Sequence, residues 1–170
     1  MRIMVAAAIL GVSIAGALAQ EAVLPRAAIE ADFKRLDCFV EVDDALREQD
    51  VFDLGAGKKL VLVLCLRGAY QGSSLAYVVE GAAPPRLLTF TRWDGKRFTP
   101  SEYVTEAEFD PATKQMASFA KGRGIGDCGS MGSWQWTGAE FKLTEYFYKE
   151  KCNGQPFAGG KRWQVFPKRK

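Results

Sequence analysis

Residues 121 to 152 read KGRGIGDCGSMGSWQWTGAEFKLTEYFYKEKC, and this stretch indicates the fold more directly than any other. A glycine-rich loop is followed by two apolar strand segments that flank Thr137-Gly138, a pair suited to a tight turn. Cysteines stand towards the two ends of the unit, at Cys128 and Cys152. We therefore predict a β-hairpin that is stapled by a disulfide.

The register of this hairpin predicts which side chains share a face. With Thr137-Gly138 as a two-residue turn, Trp136 lies opposite Ala139 and Trp134 lies opposite Phe141. Large apolar residues then collect on one side, so we interpret that side as a core face. The tryptophans are accordingly predicted to pack in the core rather than to form a sugar-stacking platform.

The other face of the same hairpin is predicted to be polar with two aromatic residues. Side chains alternate between the faces of a strand, so Leu143 and Phe147 belong to the core face in this register. Tyr146 and Tyr148 belong to the opposite, solvent-facing side. They are our first candidate binding residues.

A second hairpin is indicated by an internal repeat. Residues 93–98 match residues 136–141 in the order Trp, turn pair with Gly, and Phe. The same two-residue register places Arg92 opposite Arg97. Like charges directly across a strand pair are destabilising, so Arg92 and Arg97 are candidate residues for an anionic partner. Two acidic neighbours are the alternative partners for these arginines: Glu80 and Glu102.

The first nineteen residues have the features of a cleaved secretory signal peptide. Arg2 is followed by an apolar run too short to span a bilayer, and Ala17-Leu18-Ala19 is a small-x-small cleavage site. We expect cleavage after Ala19, export to the periplasm, one β-rich domain at residues 20–170 and no membrane span. That domain carries 22 basic and 20 acidic residues, a balance that argues against a nucleic-acid partner.

All four cysteines lie beyond the signal peptide, and an even number in an oxidising compartment predicts two disulfides. Three connectivities are possible. Sequence proximity and the hairpin favour Cys38 with Cys65 and Cys128 with Cys152. A zinc site is the competing interpretation, but the chain has no histidine and no Cys-x-x-Cys pair to form one.

The rest of the chain predicts a mostly β fold of short antiparallel hairpins, sandwich-like or barrel-like, with one short N-terminal helix. Ile29, Phe33 and Leu36 have helical spacing within residues 25–36. The apolar run LVLVLCL at residues 60–66 is typical of a strand that is buried on both faces. Residues 38–42 alternate weakly, as in a strand, and residues 106–109 and 115–121 suggest a further hairpin.

The sequence indicates neither a catalytic nor a metal or cofactor site. The absence of histidine excludes Ser-His-Asp and Cys-His catalysis. Gly124 to Gly129 fits Gly-x-Gly-x-x-Gly, but a strand follows where a dinucleotide site needs a helix. Paired carboxylates are the chemistry that remains, as in glycosidases. No spacing singles out a pair among Glu41, Asp43, Asp44, Asp50, Asp53, Glu102, Glu106, Glu108 and Asp127.

Three elements carry a resemblance to a known family: Gly-Arg-Gly-x-Gly-Asp-Cys-Gly, Trp-x-Trp-x-Gly and Cys-x-Gly, with a final Trp163. Over roughly residues 60 to 166 the chain resembles the exported bacterial family catalogued as domain of unknown function 1176. Gln71 stands where that family usually has Asn. The resemblance implies export and a β-rich fold, and it supplies no activity.

These observations predict a periplasmic, non-catalytic binding or interaction protein. A cell-envelope polymer or an envelope protein, such as an envelope hydrolase, is the expected partner. A carboxylate-dependent glycan hydrolase and a purely structural envelope component are the alternatives. The hydrolase requires a cleft that holds two acidic side chains.

Overall fold

The apolar run at residues 60–66 lies at the centre of the fold. The computed structural model describes residues 23–157 and 160–168, so the predicted signal peptide lies outside the described residues. Two helices precede the strands: α1 (Arg26–Arg35) and α2 (Val42–Arg47). The strands are β1 (Asp50–Gly55), β2 (Lys58–Arg67), β3 (Gly72–Glu80), β4 (Arg86–Leu87), β5 (Phe90–Trp93), β6 (Phe98–Ser101), β7 (Tyr103–Thr105), β8 (Glu108–Asp110), β9 (Gln115–Lys121), β10 (Gly129–Trp136), β11 (Phe141–Lys149) and β12 (Gln164–Phe166), with a 3-10 turn at Lys161–Trp163.

The strands form a sandwich of two antiparallel sheets. The first sheet has the order β1-β2-β3-β4, and β7 pairs with β3 further along the same strand. The second sheet has the order β12-β11-β10-β9-β8. Strands β5 and β6 form a separate hairpin that packs on β11. The prediction of a mostly β, antiparallel, disulfide-stapled fold is confirmed.

Strand β2 is buried on both faces, as its unbroken apolar sequence predicts. Leu60 and Leu62 point into the core between the two sheets, where they meet Trp134 and Phe141 of the second sheet. Val63, on the opposite face, joins the core beneath the helices. Helices, first sheet and second sheet are thus three layers, and β2 contributes to both of the cores that separate them.

The helices cover the outer face of the first sheet. The predicted N-terminal helix is confirmed as α1, whose Ile29 and Phe33 are buried against that face. The weak strand predicted at residues 38–42 is wrong, because the chain there turns into α2. Acidic residues in the first turn of α2 and Arg47 in its last turn both favour the helix dipole. No helix within the described ranges has the length and apolarity needed to cross a membrane.

Both repeated hairpins form, but with a register that differs from the predicted one. Trp93 pairs with Phe98 and Trp136 pairs with Phe141, so each connection is a loop of four residues. Polar side chains close these loops: Asp94 Oδ1 accepts the N–H groups of Lys96 and Arg97, and Thr137 Oγ1 accepts that of Glu140. The glycines of these loops have positive φ, +102° at Gly95 and +95° at Gly138, a conformation that glycine adopts readily.

A β-bulge at Thr144 changes the faces of β11. Ser133 pairs with Glu145 while the next residue, Trp134, pairs with Leu143, so Thr144 is the extra residue. Its hydroxyl donates to the Ser133 carbonyl at 3.0 Å. The bulge turns Tyr146 onto the core face and moves Phe147 off it, so the predicted faces of these two side chains are wrong. The predicted core packing of the tryptophans is confirmed, since Trp134 and Trp136 are buried.

The predicted cysteine pairing is confirmed in both disulfides. Cys38 is bonded to Cys65, which ties the segment after α1 to β2. Cys128 is bonded to Cys152, which joins the residue before β10 to the segment after β11. The predicted hairpin of β8 and β9 is also confirmed, with Phe109 opposite Met116.

The central role of β2 predicts that Leu62→Ala is strongly destabilising. Leu62 is 4% exposed between the sheets, and truncating such a side chain leaves a cavity that costs about 2–5 kcal/mol. Urea unfolding measures this free energy. Lys59→Ala, an exposed position on the same strand, is the control and should change it by less than about 0.5 kcal/mol. Equal losses of unfolding free energy in Leu62→Ala and Lys59→Ala would contradict the placement of Leu62 in the core between the sheets.

Candidate interaction surface

Tyr146 and Tyr148, the predicted binding residues, do not lie on a solvent-facing side of the hairpin. Tyr146 is only 3% exposed and packs near Trp134 and Phe98 in the core. Tyr148 lies beside the β5–β6 loop, where its hydroxyl would lie 3.4 Å from a Cβ at Gly95. The bulge in β11 explains both positions, and the two residues do not form an open aromatic platform.

The two arginines are not opposite each other. Arg92 pairs with Thr99, and Arg97 lies in the four-residue loop, where its nearest acidic group is Asp94 at 3.9 Å. The acidic residues proposed as their partners are engaged elsewhere, Glu80 with Lys58 and Glu102 with Arg35. The like-charge contact that made the arginines candidates is therefore absent, although Arg92 reaches the mouth of a cleft that also contains Tyr146.

The glycine-rich loop between β9 and β10 is fixed by an ion pair between the half-exposed Arg123 and the buried Asp127. Asp127, 3% exposed, accepts two hydrogen bonds from Arg123, at 2.7 and 2.6 Å. It also accepts the backbone N–H of Gly154, at 2.5 Å, from the segment after Cys152. The Arg123 guanidinium and these hydrogen bonds hold the pKa of the Asp127 carboxyl well below its usual range.

Glycines allow the loop to close against the disulfide. A Cβ at Gly122 would lie 2.7 Å from the sulfur of Cys128. Gly129 has φ +127°, and a Cβ there would lie 2.0 Å from the Ala120 carbonyl oxygen. Gly122 and Gly129 thus allow close chain packing beside the Cys128–Cys152 disulfide. The element that follows Gly129 is strand β10, as the sequence predicts, and not the helix of a dinucleotide site.

Gln71 fastens the loop to the first sheet. Its side-chain amide accepts the backbone N–H of Lys121 at 2.9 Å and donates to the Lys121 carbonyl at 3.3 Å. The next residue, Gly72, makes two hydrogen bonds with Glu106. The Gly72 N–H donates to the Glu106 carboxylate at 2.7 Å, and the Glu106 N–H donates to the Gly72 carbonyl at 2.9 Å. Gln71, the position that departs from the family pattern, therefore joins the β2–β3 turn to the glycine-rich loop. We call its two hydrogen bonds with Lys121 the Gln71 clasp.

Three large hydrophobic side chains are exposed in the described part of the chain, and all three lie at this end of the first sheet. Phe39 is 81% exposed, Tyr70 46% and Ile125 72%. Phe39 is held by its N–H, which donates to the Cys65 carbonyl near the end of β2. Tyr70 lies in the β2–β3 turn, and a Cβ at Gly124, next to Ile125, would lie 3.6 Å from its ring. We call these three residues the apolar end.

Sequence reasoning missed the apolar end because its three members lie far apart in the sequence and share no motif. Ile125 is the one large apolar residue between Lys121 and Cys128, which was a usable signal. Tyr70 and Phe39 carry no such mark. The Gln71 clasp, the Cys38–Cys65 disulfide and the hydrogen bond from Phe39 to Cys65 hold their three segments.

Within residues 23–157 and 160–168, one group of acidic and cysteine side chains lies close enough together to resemble a metal site. Ligand atoms of Asp127, Cys128 and Cys152 lie within 4.8 Å of one another, but the two sulfurs are bonded to each other and the carboxylate is bonded to Arg123. These groups are therefore already bonded to one another and to Arg123, an arrangement that suits a structural role rather than metal binding. We call the bonds of Asp127 with Arg123 and Gly154 the Asp127 lock.

Loss of the Asp127 charge should destabilise the protein in a pH-dependent way. Because the folded state lowers the pKa of this carboxyl, its stabilisation is complete above the unfolded pKa, about 3.9, and is lost as the pH falls towards the folded value. Asp127→Asn should therefore lower the Tm at pH 7, and the difference from the unsubstituted protein should shrink below pH ~4. Thermal unfolding at several pH values measures this, and exposed Glu150→Gln is the control. A Tm difference that is the same at every pH would contradict the lock.

Comparison with known proteins agrees with the predicted resemblance and extends it. The family model for a protein of unknown function, DUF1176, matches residues 7–167, which is most of the chain and not only its C-terminal half. The uncharacterized protein YpfG of Escherichia coli (strain K12) is 31% identical over 116 residues, or 66% of this chain and 33% of YpfG. The chain thus spans about a third of the length of this relative. No solved structure matches this chain. The chain belongs to the DUF1176 family of proteins of unknown function.

Proposed function

We propose that this protein is a periplasmic, non-catalytic interaction module that binds a cell-envelope protein through the apolar end. The single observation that carries the proposal is the exposure of Phe39, Tyr70 and Ile125 at one end of an otherwise well-buried sandwich. Both disulfides are consistent with an extracytoplasmic compartment. The predicted signal peptide supports export.

Fixed loops make the apolar end suitable for binding. Protein-binding hot spots are apolar and aromatic anchors that become fully desolvated. Anchors on ordered segments lose less conformational entropy on binding. Tyr70 lies within the β2–β3 turn, which is closed by the Gly68 N–H donating to the Gln71 carbonyl at 2.8 Å. Ile125 precedes Gly126, whose N–H donates to Arg123 at 2.9 Å.

Charges near the apolar end favour a protein over an ionic polymer. Arg67 is paired with Glu48 at 2.7 Å, and Arg123 is paired with Asp127. These internal pairs leave little unbalanced charge to attract a polyanion. One side of the Tyr70 ring also faces Gly124, so the ring does not offer two free faces for sugar stacking. An apolar patch on a protein fits this surface best.

Site-specific photo-crosslinking tests the proposal in the envelope. A benzophenone amino acid at position 125, and separately at position 70, should form an adduct with the same envelope protein. Position 140 is the matched control, because Glu140 is exposed in the loop at the opposite end of the β10–β11 hairpin. Adducts formed equally from position 140, or adducts with glycan rather than protein, would contradict the proposal.

Ile125→Asp gives a quantitative version of the same test. A charge buried in an apolar contact is costly, so affinity for the cross-linked partner should fall at least about 10-fold. Titration of the purified pair measures the dissociation constant. Glu140→Lys, a charge change of similar exposure, should leave it unchanged. Retained affinity in Ile125→Asp would place the contact elsewhere.

A glycan hydrolase is the second candidate, and one groove favours it. Glu106 and Glu108 line a groove of about 310 Å3 together with Ser118 and Lys121. However, one Glu106 oxygen accepts the Gly72 N–H, and the other faces Lys121 Nζ at 3.9 Å. A carboxylate that is occupied in this way is poorly placed to protonate a leaving group, so binding is the better proposal.

Incubation with purified peptidoglycan separates the two candidates. The hydrolase predicts new reducing ends that disappear in Glu108→Gln. The interaction module predicts no release by either form, and a reducing-end assay measures this. Release that depends on Glu108 would overturn the non-catalytic assignment.

A further inference from the structure

Arg92 stands at the mouth of a narrow cleft between the β5–β6 hairpin and the second sheet. Side chains alternate along β5, so Arg92 lies on the same side as Phe90, which is buried against Trp134. Both Phe90 and Arg92 line the cleft. Its other walls come from four strands, with Tyr103, Thr105, Ser118, Ala120, Ser130, Trp134 and Tyr146.

The charge of Arg92 is not neutralised by the described part of the chain. No carboxylate among the described residues lies within 4.0 Å of it, whereas Arg26, Arg35, Arg47, Arg67, Arg97 and Arg123 all have one. A guanidinium presents several N–H donors in a planar fork that matches a carboxylate. Arg92 therefore offers a free anion-binding group at the cleft.

Two hydroxyl groups in the same cleft add to this. Tyr146 is 3% exposed, and its hydroxyl makes no hydrogen bond with another described residue. Tyr146 is one of the residues that line the cleft. Ser130 also lines the cleft, and its hydroxyl too has no partner among the described residues. By contrast, the Ser118 hydroxyl is already bonded to the Thr105 carbonyl at 2.7 Å.

The cleft is small. Its volume is about 20 Å3, which is room for about one water-sized group. A whole sugar or nucleotide does not fit, but one end of a carboxylate does, with the remainder of the ligand outside. A planar monoanion can take two parallel hydrogen bonds from the guanidinium and a further one from a hydroxyl.

We infer that Arg92, Tyr146 and Ser130 form a carboxylate-binding site, which takes the carboxylate group of a small molecule or of a peptide terminus. Arg92 supplies the charge and the fork, and the hydroxyls of Tyr146 and Ser130 donate to the inner oxygen. None of the residues of the apolar end lines the cleft, so the site does not depend on the proposed interaction with an envelope protein. Both sources of the carboxylate share the same chemistry.

Acetate and acetamide are the matched probes for this site. They have nearly the same size and shape, and only acetate carries the charge. In NMR titrations of the full chain, acetate should cause saturable shifts at the Arg92 side-chain N–H and the Ser130 amide, and acetamide should not. N-acetylglycine compared with free glycine distinguishes a peptide terminus from a small amino acid.

Substitutions locate the binding. Arg92→Gln should weaken acetate binding about 10-fold or more, since a hydrogen bond to a charged group is lost. Tyr146→Phe keeps the packed ring and should weaken it several-fold. Arg97→Gln, in the adjoining loop and 82% exposed, is the control and should keep the affinity. Equal shifts with acetamide, no saturable shift with acetate, or equal losses in Arg92→Gln and Arg97→Gln would each overturn the inference.

Discussion

Burial of β2 on both faces is the constraint on which the rest of the structure depends. A strand of alternating Leu and Val is apolar on both faces, so exposing either face to water is unfavourable. Another layer of the structure must therefore cover each face. The helices cover Val61 and Val63, and the second sheet covers Leu60 and Leu62. Each buried leucine or valine contributes about 1.5–3 kcal/mol, which makes this strand a large part of the driving force.

The same strand organises the candidate surface. The end of β2 carries Cys65, whose disulfide and carbonyl hold the Phe39 segment. The turn that follows β2 carries Tyr70 and Gln71, and Gln71 holds the glycine-rich loop with Ile125. Three segments that are distant in sequence therefore meet where the central strand ends. Packing of the hydrophobic core sets the position of these three segments. The disulfides and the Gln71 clasp then keep the segments rigid.

Local chemistry made much of the fold predictable from sequence. The LVLVLCL run, the spacing of Ile29 and Phe33, and the proximity of cysteines in sequence each have one dominant physical reason, and each prediction is confirmed. The hairpin registers failed because Asp94 and Thr137 accept backbone N–H groups and lengthen the turns. The face of Tyr146 failed because a single extra residue, Thr144, reverses the alternation.

The candidate sites were harder to predict, because they depend on contacts between distant segments. The clasp between Gln71 and Lys121 joins residues 50 positions apart, and no local pattern indicates it. The cleft at Arg92 brings together five strands. Arg92 and Tyr146 were predicted as candidates for different reasons, a like-charge pair and a polar face, and neither reason holds in the structure. The proposed carboxylate site rests on their meeting in one cleft.

The proposed function requires the glycine-rich loop to be ordered so that it holds Ile125 in a fixed position, and amide hydrogen exchange tests this requirement most directly. The N–H groups of Lys121, Gly122 and Gly126 donate to Gln71, Cys128 and Arg123. The account predicts that these three amides exchange about as slowly as the amides within β10, and that Gln71→Ala accelerates their exchange. Exchange at the rates of an unstructured glycine-rich peptide in the unsubstituted protein would contradict it.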